Sequence, residues 1–362
     1  MDLSLVENDR EGFRELLFAK PCGSSLAVPS YNAASVDGAW CQVNDALAAP
    51  FLLVGGAAAA GLSLPEDISV DDVAILAGPD TSIPVMDAAR QDQQAAWTLR
   101  DWAAYFSQKD AASHKVLNVL SLEVSGTRLG ERVLGPKFVR DLDWIPAAPA
   151  ACRAKVQKYC LMSAAGSFTD WHVDMGGSSV WYHVVKGAKV FWLAPPTDAN
   201  LEAYKKWITS PDQVSTWFGD VVGDDQLTRI KLEPGSTLSL PSAWLHCVYT
   251  PEDSLVFGGN YLHTAAVATQ FAVFGLERRC RVDDECKFPH WLETVAHGAA
   301  VEALVKATTP AVGAARAALA DALRAWRDGD PEPHRAIGLS EKERRRLTLA
   351  LDDAAAAAGV SV

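Results

Sequence analysis

The stretch TDWHVDMGG, at residues 169–177, places a histidine and an aspartate two positions apart directly after an apolar and aromatic run. On a β-strand, residues i and i+2 point to the same face, so His172 and Asp174 would present an imidazole and a carboxylate side by side, about 7 Å apart at their Cα atoms. A second histidine, His246, follows far downstream in PSAWLHC at residues 241–247. We therefore predict that these three side chains bind one metal ion.

The donor set of this predicted site points to iron. Two histidines and one carboxylate on one face of an octahedral ion leave the opposite positions open for a chelating co-substrate and O₂, as in non-haem Fe(II) oxygenases. An H-x-D pair by itself is weak evidence, because it occurs by chance in many chains. The surrounding segments must therefore supply the specificity.

Composition places the chain among globular proteins with a sizeable core. Its 362 residues are 49% hydrophobic and 22% charged, enough for one large β domain with appendages or for two domains. The first residues, MDLSLVENDR, are acidic where a signal peptide would be basic and then apolar, and we expect no membrane segment. The seven cysteines form no C-x-x-C pair and suit a reducing compartment, so we expect an intracellular protein that is not secreted.

The net charge of −12, from 33 basic and 45 acidic residues, argues against direct nucleic-acid binding through phosphate contacts. An acidic surface instead favours basic partners. The sequence predicts nothing about the oligomeric state.

Short runs rich in Val, Leu, Phe, Trp and Tyr, broken by Gly, Pro, Asn and Asp, begin near residue 116. They predict eight strands, at residues 116–123, 158–163, 168–174, 179–185, 189–194, 236–240, 245–250 and 254–262. This number of short strands predicts an α+β protein with a mainly β core, a double-stranded β-helix of the jelly-roll or cupin-like kind. The tripeptide at residues 186–188, Lys-Gly-Ala, is interpreted as the turn of a hairpin between two of these strands.

Helical patterns flank the predicted barrel. We predict helices at residues 1–20, from Ser69 as N-cap, at 98–106 and at 201–209, and Ala-rich helices at 291–308, 311–327 and 340–358. The chain then divides into a helical and loop region at residues 1–115 that supports the barrel, a catalytic barrel at 116–285 and a C-terminal helical domain at 286–362.

Lys189 has the same strand parity as Phe191 and Leu193. If that face lines the barrel, an ammonium group enters an apolar interior, which is costly unless an anion meets it. The distal carboxylate of an iron-chelating 2-oxoglutarate would be such an anion, and the hydroxyls of Thr169 and Tyr182 could complete its hydrogen bonds. The opposite parity is equally apolar, so the residues alone leave open that Lys189 faces solvent.

Several segments outside the predicted metal motif also resemble one known family. They are KVLNVLSLE (115–123), KYCLM (158–162), WYHVVKG (181–187), WFGD (217–220) and FGGN (257–260). From about residue 45 to about residue 280 the chain resembles the JmjC histone lysine demethylases, in particular the branch that carries F-box and CXXC modules or PHD fingers.

The resemblance implies a function and a set of site residues. His172, Asp174 and His246 would bind Fe(II), while 2-oxoglutarate would be held by Thr169, Tyr182, Lys189 and Asn118, with O₂ as the oxidant. Asn260 would lie near the methylated lysine of the substrate. The implied activity is demethylation of mono- and dimethyl-lysine on histone H3 tails, at position 36 or 9, in the nucleus.

Two alternatives remain open at this stage. One is a JmjC protein hydroxylase that acts on a non-histone side chain, which would yield a stable hydroxylated product and no formaldehyde. The other is a non-catalytic scaffold that binds chromatin proteins. The PHD finger, CXXC finger, F-box and leucine-rich repeats usual in the branch are not recognisable in this sequence, which puts chromatin targeting by this stretch in question.

Overall fold

The computed structural model describes residues 1–23, 28–108, 115–148, 150–151, 153–291 and 294–295. The α-helices of this part are α1 (Leu5–Asn8), α2 (Arg10–Ala19), α3 (Gly38–Val43), α4 (Val70–Ala77), α5 (Leu99–Gln108), α6 (Lys137–Leu142), α7 (Asp198–Ile208), α8 (Phe218–Val222) and α9 (Val267–Cys280). The strands are β1 (Ser30–Asn32), β2 (Phe51–Val54), β3 (Ser82–Asp87), β4 (Asp92–Thr98), β5 (Leu117–Glu123), β6 (Tyr159–Ser163), β7 (Phe168–His172), β8 (Ser179–Ala194), β9 (Thr228–Leu232), β10 (Thr237–Leu240) and β11 (Leu245–Tyr261).

Two long strands, β8 and β11, organise the barrel. They pair antiparallel over almost their whole length, from Ser179 opposite Tyr261 to Ala194 opposite Leu245. The first half of β8 also pairs with β10 and its second half with β9, while the two halves of β11 pair with β7 and then with β6. The strands therefore form a larger sheet, β1-β2-β10-β8-β11-β6-β5-β3-β4, and a smaller one, β9-β8-β11-β7. This cupin-like arrangement confirms the predicted jelly-roll fold within an α+β protein.

The predicted hairpin at residues 186–188 is wrong, because β8 runs through these residues as one strand. Gly187 has a φ of +72°, and a Cβ at this position would lie 2.1 Å from the carbonyl oxygen of Asp253 in β11. The pairing register of β11 shifts between Glu252 and Leu255, on the opposite side of the same point. The glycine thus marks an irregularity at which both strands pass from one sheet into the other.

This irregularity also changes which residues face inward. Tyr182 and Val184 of the first half of β8 share one buried apolar cluster with Phe191 and Leu193 of the second half, although their parities differ. The other face of the second half, with Trp192, packs beneath α2, α7 and α8. The residues with the parity of Lys189 therefore line the interior between the two sheets.

The N-terminal segment was expected to contain helices and loops, and four strands there correct that expectation. β2 pairs with β10, and β3 pairs with β5, so residues before 115 extend the larger sheet on both sides. The expected helices near Ser69 and at 98–106 and 201–209 are confirmed, and Ser69 caps α4 in a capping box with Asp72. The predicted C-terminal helices lie almost entirely outside the described residues, and the division into three segments stays a prediction.

Within the described part of the chain, no helix combines the length and apolar character needed to cross a membrane.

Candidate active site

His172, Asp174 and His246 converge at one end of the interior. His172 ends β7 and lies directly opposite His246 near the start of β11, with 4.1 Å between the ring centroids. Asp174 follows β7 in extended backbone, with φ −63° and ψ 144°, and its Oδ2 lies 3.8 Å from Nε2 of His246. One ligand atom from each of the three residues lies within 4.8 Å of those from the other two. β7 ends at His172 and not at Asp174 as predicted, but the extended backbone keeps the two side chains on one side.

The backbone fixes the tautomer of both imidazoles. Nδ1 of His172 lies 2.8 Å from the carbonyl oxygen of Asp170, and Nδ1 of His246 lies 3.0 Å from that of Trp244. A carbonyl oxygen can only accept, so Nδ1 carries the proton in each ring and Nε2 keeps its lone pair. Metal-binding histidines are oriented by hydrogen bonds of this kind.

Burial shifts the pKa values of His246 and Asp174 in this group. It lowers the pKa of His246 well below the usual value for histidine, and the nearby His172 adds to this effect. Burial raises the pKa of Asp174, which His172 and a hydrogen bond from Asn260 partly oppose. A half-buried carboxylate between two imidazoles is favourable when a cation binds among them. Two nitrogen donors and one oxygen donor at these separations fit a divalent transition metal such as Fe(II).

Lys189 lies in the interior, 1% exposed. Its ammonium donates to Oγ of Ser163 at 2.6 Å and to Oγ1 of Thr250 at 2.8 Å. Among the residues that the structure describes, its hydrogen-bonding partners are these two hydroxyls and no carboxylate. Burial lowers the pKa of Lys189 to about 7, because no charged partner compensates the desolvation. The pocket around this ammonium is therefore suited to an anionic ligand.

Hydrogen bonds connect this lysine with β7, the strand that ends in His172. Ser163 donates to Oδ1 of Asn118 at 2.6 Å, and Nδ2 of Asn118 lies 3.4 Å from Oγ1 of Thr169 in β7. Asn118 and Ser163 are buried, and Thr169 is half-buried. Three of the four residues predicted to hold the co-substrate thus lie in one hydrogen-bonded group.

Tyr182 reaches the same region through ring contacts. It packs edge-on against Phe191 at 5.2 Å, and Phe191 stacks at 6.0 Å on the ring of His246. Burial raises the pKa of Tyr182, so its hydroxyl stays protonated and can donate. Tyr182 therefore lies next to Phe191, which contacts His246, and the role of all four residues in co-substrate binding stays a prediction.

Asn260, predicted to lie near the substrate, is buried beside the metal ligands. Its Nδ2 donates to Oγ of Ser178 at 2.8 Å and lies 3.5 Å from Oδ1 of Asp174. A group bound next to Asn260 would therefore also be next to the carboxylate of Asp174. Its contact with a substrate stays a prediction.

Sequence reasoning missed residues that support the site. Ser163 and Thr250 carry only the weak signal of a hydroxyl within an otherwise apolar strand. Gln91 holds β7 from outside the sheet: its Nε2 donates to the carbonyl oxygen of Phe168 at 2.9 Å, and its Oε1 accepts from the amide of Asp170 at 3.1 Å. Nothing in the local sequence around Gln91 predicts this contact.

Comparisons with known proteins agree with this architecture. Residues 99–267 match the model of the cupin-like domain family. The chain is 46% identical over 237 residues to "JmjC domain-containing histone demethylation protein 1" of Mycosarcoma maydis, a match that covers 62% of this chain and 35% of that protein. It is 41% identical over 250 residues to "Lysine-specific demethylase 2A" of Xenopus tropicalis, covering 64% of this chain and 22% of the relative. With "Histone lysine demethylase PHF8" of Danio rerio the identity is 41% over 240 residues, which is 65% of this chain and 23% of the relative. The chain thus spans about a third or less of these three proteins.

Proposed function

We propose that the chain, whose residues 99–267 match the cupin-like domain family and which is similar to relatives named as histone demethylases, is an Fe(II)- and 2-oxoglutarate-dependent oxygenase of the JmjC class that demethylates mono- and dimethyl-lysine on histone H3 tails. The observation that carries the proposal is the trio His172, Asp174 and His246. Its three ligand atoms lie within 4.8 Å of one another, and carbonyl acceptors direct both Nε2 lone pairs away from the backbone.

The interior residues have two separate proposed roles, metal binding and co-substrate binding. His172, Asp174 and His246 hold Fe(II), which together with 2-oxoglutarate and O₂ supplies the oxidation of an N-methyl C–H bond, so that the N-hydroxymethyl product breaks down to formaldehyde and the demethylated amine. Lys189 binds the distal carboxylate of 2-oxoglutarate, and its hydrogen bonds to Ser163 and Thr250 aim the ammonium.

The remaining predicted residues orient the co-substrate. Asn118 and Thr169 offer an amide and a hydroxyl in the hydrogen-bonded group that contains Lys189, and Tyr182 offers a hydroxyl in the cluster around Phe191. The apolar cluster around Phe191 and Leu193 excludes water from this region, which strengthens the electrostatic contact between ammonium and carboxylate.

The proposed substrate is inferred from the polar groups beside Asp174 and from the net charge of the chain. Asn260 lies 3.5 Å from Asp174, so a methyl-ammonium head that reaches the metal is crowded there by polar groups, and a third methyl would displace them. The net charge of −12 suits a basic tail. We expect dimethylated H3 tails to be used, position 36 ahead of position 9, and the protein to act in the nucleus.

The test is incubation of the purified protein with Fe(II), ascorbate, 2-oxoglutarate and a panel of methylated H3 peptides. Demethylation removes the mass of one methylene group from the peptide for each methyl lost and releases formaldehyde. Products that only gain one oxygen, without formaldehyde from any peptide, would replace the proposal with the hydroxylase. Peptide binding without 2-oxoglutarate turnover would replace it with the scaffold.

A further inference from the structure

The loop that follows Asp174 is held by residues near the end of the described chain. Residues Met175–Gly177 form one 3₁₀ turn, in which Gly176 has a φ of +60°. The amide of Gly176 donates to Oε1 of Glu277 in α9 at 2.7 Å, and its carbonyl oxygen accepts from Nε1 of Trp291 at 2.9 Å. Both peptide groups that flank Gly176 are therefore fixed by side chains beyond residue 267, where the cupin-like match ends.

Packing leaves this turn little freedom to move toward α9. A Cβ on Gly176 would lie 2.4 Å from Cδ1 of Trp291, and one on Gly177 would lie 2.8 Å from Cα of Gln270. Trp291 in turn stacks on Phe274 of α9, with 4.1 Å between the ring centroids and an interplanar angle of 7°. The turn therefore rests directly on a surface formed by α9 and Trp291.

Glu277 supplies the polar contact on that surface. It is 6% exposed, and a buried carboxylate is costly unless hydrogen bonds satisfy it. Gly176 is separated from Asp174 by a single residue, so a shift of this amide moves the carboxylate that shares the site with His246. Metal coordination tolerates errors of only about 0.2 Å in ligand distance.

We propose that Glu277 is a positioning residue for the metal centre: it holds the amide of Gly176 and so keeps the Asp174 carboxylate in line with the two imidazoles. This inference rests on the metal-binding part of the proposed function and adds to it a requirement for α9. A structural anchor alone would affect the stability of the protein without affecting its affinity for metal.

The experiment measures binding of Co²⁺ alone to the whole chain by its visible absorption, together with thermal unfolding of each metal-free variant. Glu277→Met removes the acceptor, and Glu277→Gln keeps an oxygen that can accept from Gly176. Gln270→Met is the matched control, because Gln270 is buried on the same helix and its side chain donates to the carbonyl of His263, not to the turn.

We expect Glu277→Met to weaken Co²⁺ binding about 10- to 100-fold, as loss of a group that orients a metal ligand does. Glu277→Gln should recover most of the affinity, and Gln270→Met should bind Co²⁺ like the unaltered protein even if it is less stable. Affinity within twofold of the unaltered protein in folded Glu277→Met would overturn the inference.

Trp291→Phe keeps the test decisive if Glu277→Met does not fold. It removes only the donor to the Gly176 carbonyl and keeps a ring against Phe274. We expect this variant to bind Co²⁺ more weakly, and full affinity in folded Trp291→Phe would likewise overturn the inference that side chains beyond residue 267 position the Asp174 carboxylate through Gly176. Failure of the unaltered protein to bind Co²⁺ would instead contradict the metal site of the proposed function.

Discussion

Replacement of Lys189 by methionine should abolish tight binding of 2-oxoglutarate. Methionine fills a similar volume without the charge, so the co-substrate carboxylate would enter the interior unpaired. Removing one partner of a buried ion pair costs about 3–5 kcal/mol, and each ~1.4 kcal/mol is a factor of ten. We therefore expect the KM for 2-oxoglutarate to rise by about two to three and a half orders of magnitude.

The same substitution should stabilise the protein when no co-substrate is bound. Burial lowers the pKa of Lys189 from 10.5 to about 7, and at about 1.36 kcal/mol per pKa unit the buried ammonium costs on the order of 5 kcal/mol near pH 7. Loss of hydrogen bonding by Ser163 and Thr250 offsets about 1–3 kcal/mol of that gain. The expected net gain is about 2–4 kcal/mol, which raises the Tm by several degrees.

The sign of the pH dependence follows from the lowered pKa. Between about pH 7 and pH 10.5 the unfolded chain binds a proton at Lys189 that the folded protein does not, so the stability of the unaltered protein increases with pH in this window. The stabilising effect of methionine is therefore largest at or below pH 7 and disappears as the pH approaches 10.5.

The assay combines steady-state succinate formation at varied 2-oxoglutarate with thermal unfolding of the metal-free protein. Lys186→Met is the matched control, because Lys186 is exposed on the same strand, and it should change neither quantity. A change in KM below threefold for Lys189→Met would show that another residue binds the distal carboxylate. A Lys189→Met protein less stable than the unaltered one would refute the argument from burial.

Three further outcomes are expected. His172→Ala should end 2-oxoglutarate turnover, measured as succinate, with little change in the Tm of the metal-free protein; an unchanged succinate rate would remove His172 from the ligand set. Gly176→Ala should lower the free energy of unfolding by about 1–3 kcal/mol in denaturant titrations. Gly235→Ala should lower it less, because the space around Gly235 is open, whereas a Cβ at Gly176 would lie 2.4 Å from Trp291. Binding of 2-oxoglutarate at pH 8 should take up a proton, since a carboxylate raises the pKa of Lys189 from about 7; calorimetric heats that do not depend on the ionisation enthalpy of the buffer would contradict this.

The pairing of His172 with Asp174 could be predicted because the two residues are close in sequence and are of types that bind metal. The side chains of His172 and Asp174 share a face in any extended backbone, whereas the choice of His246 among the eight histidines is supported by the family resemblance and not by ligand chemistry, which all histidines share. The face of Lys189 was not predictable from its strand alone. Val190 and Trp192 are as apolar as Phe191 and Leu193 because β8 is buried on both sides, by the interior and by the helices.

The errors in the strand assignment have a common physical origin in non-local pairing. Lys-Gly-Ala is compatible with a turn and with a bend in a long strand, and the nearness of Asp253 in β11 decides between them. The short strands β1 to β4 likewise depend on partners far along the chain, such as β10 for β2. β9 is different: Arg229 and Lys231 alternate with Ile230 and Leu232, a readable period-two pattern that was missed.

Gln91 has a consequence for how other chains can approach the metal centre. β7 is an edge of the smaller sheet, and an exposed edge is a template for strand addition or aggregation. The amide of Gln91 takes the place of a neighbouring peptide unit there, since it donates to Phe168 and accepts from Asp170. An extended polypeptide could join this edge only by displacing that amide and loosening the strand that ends in His172. The edge beside the metal ligands is thereby protected from β-augmentation.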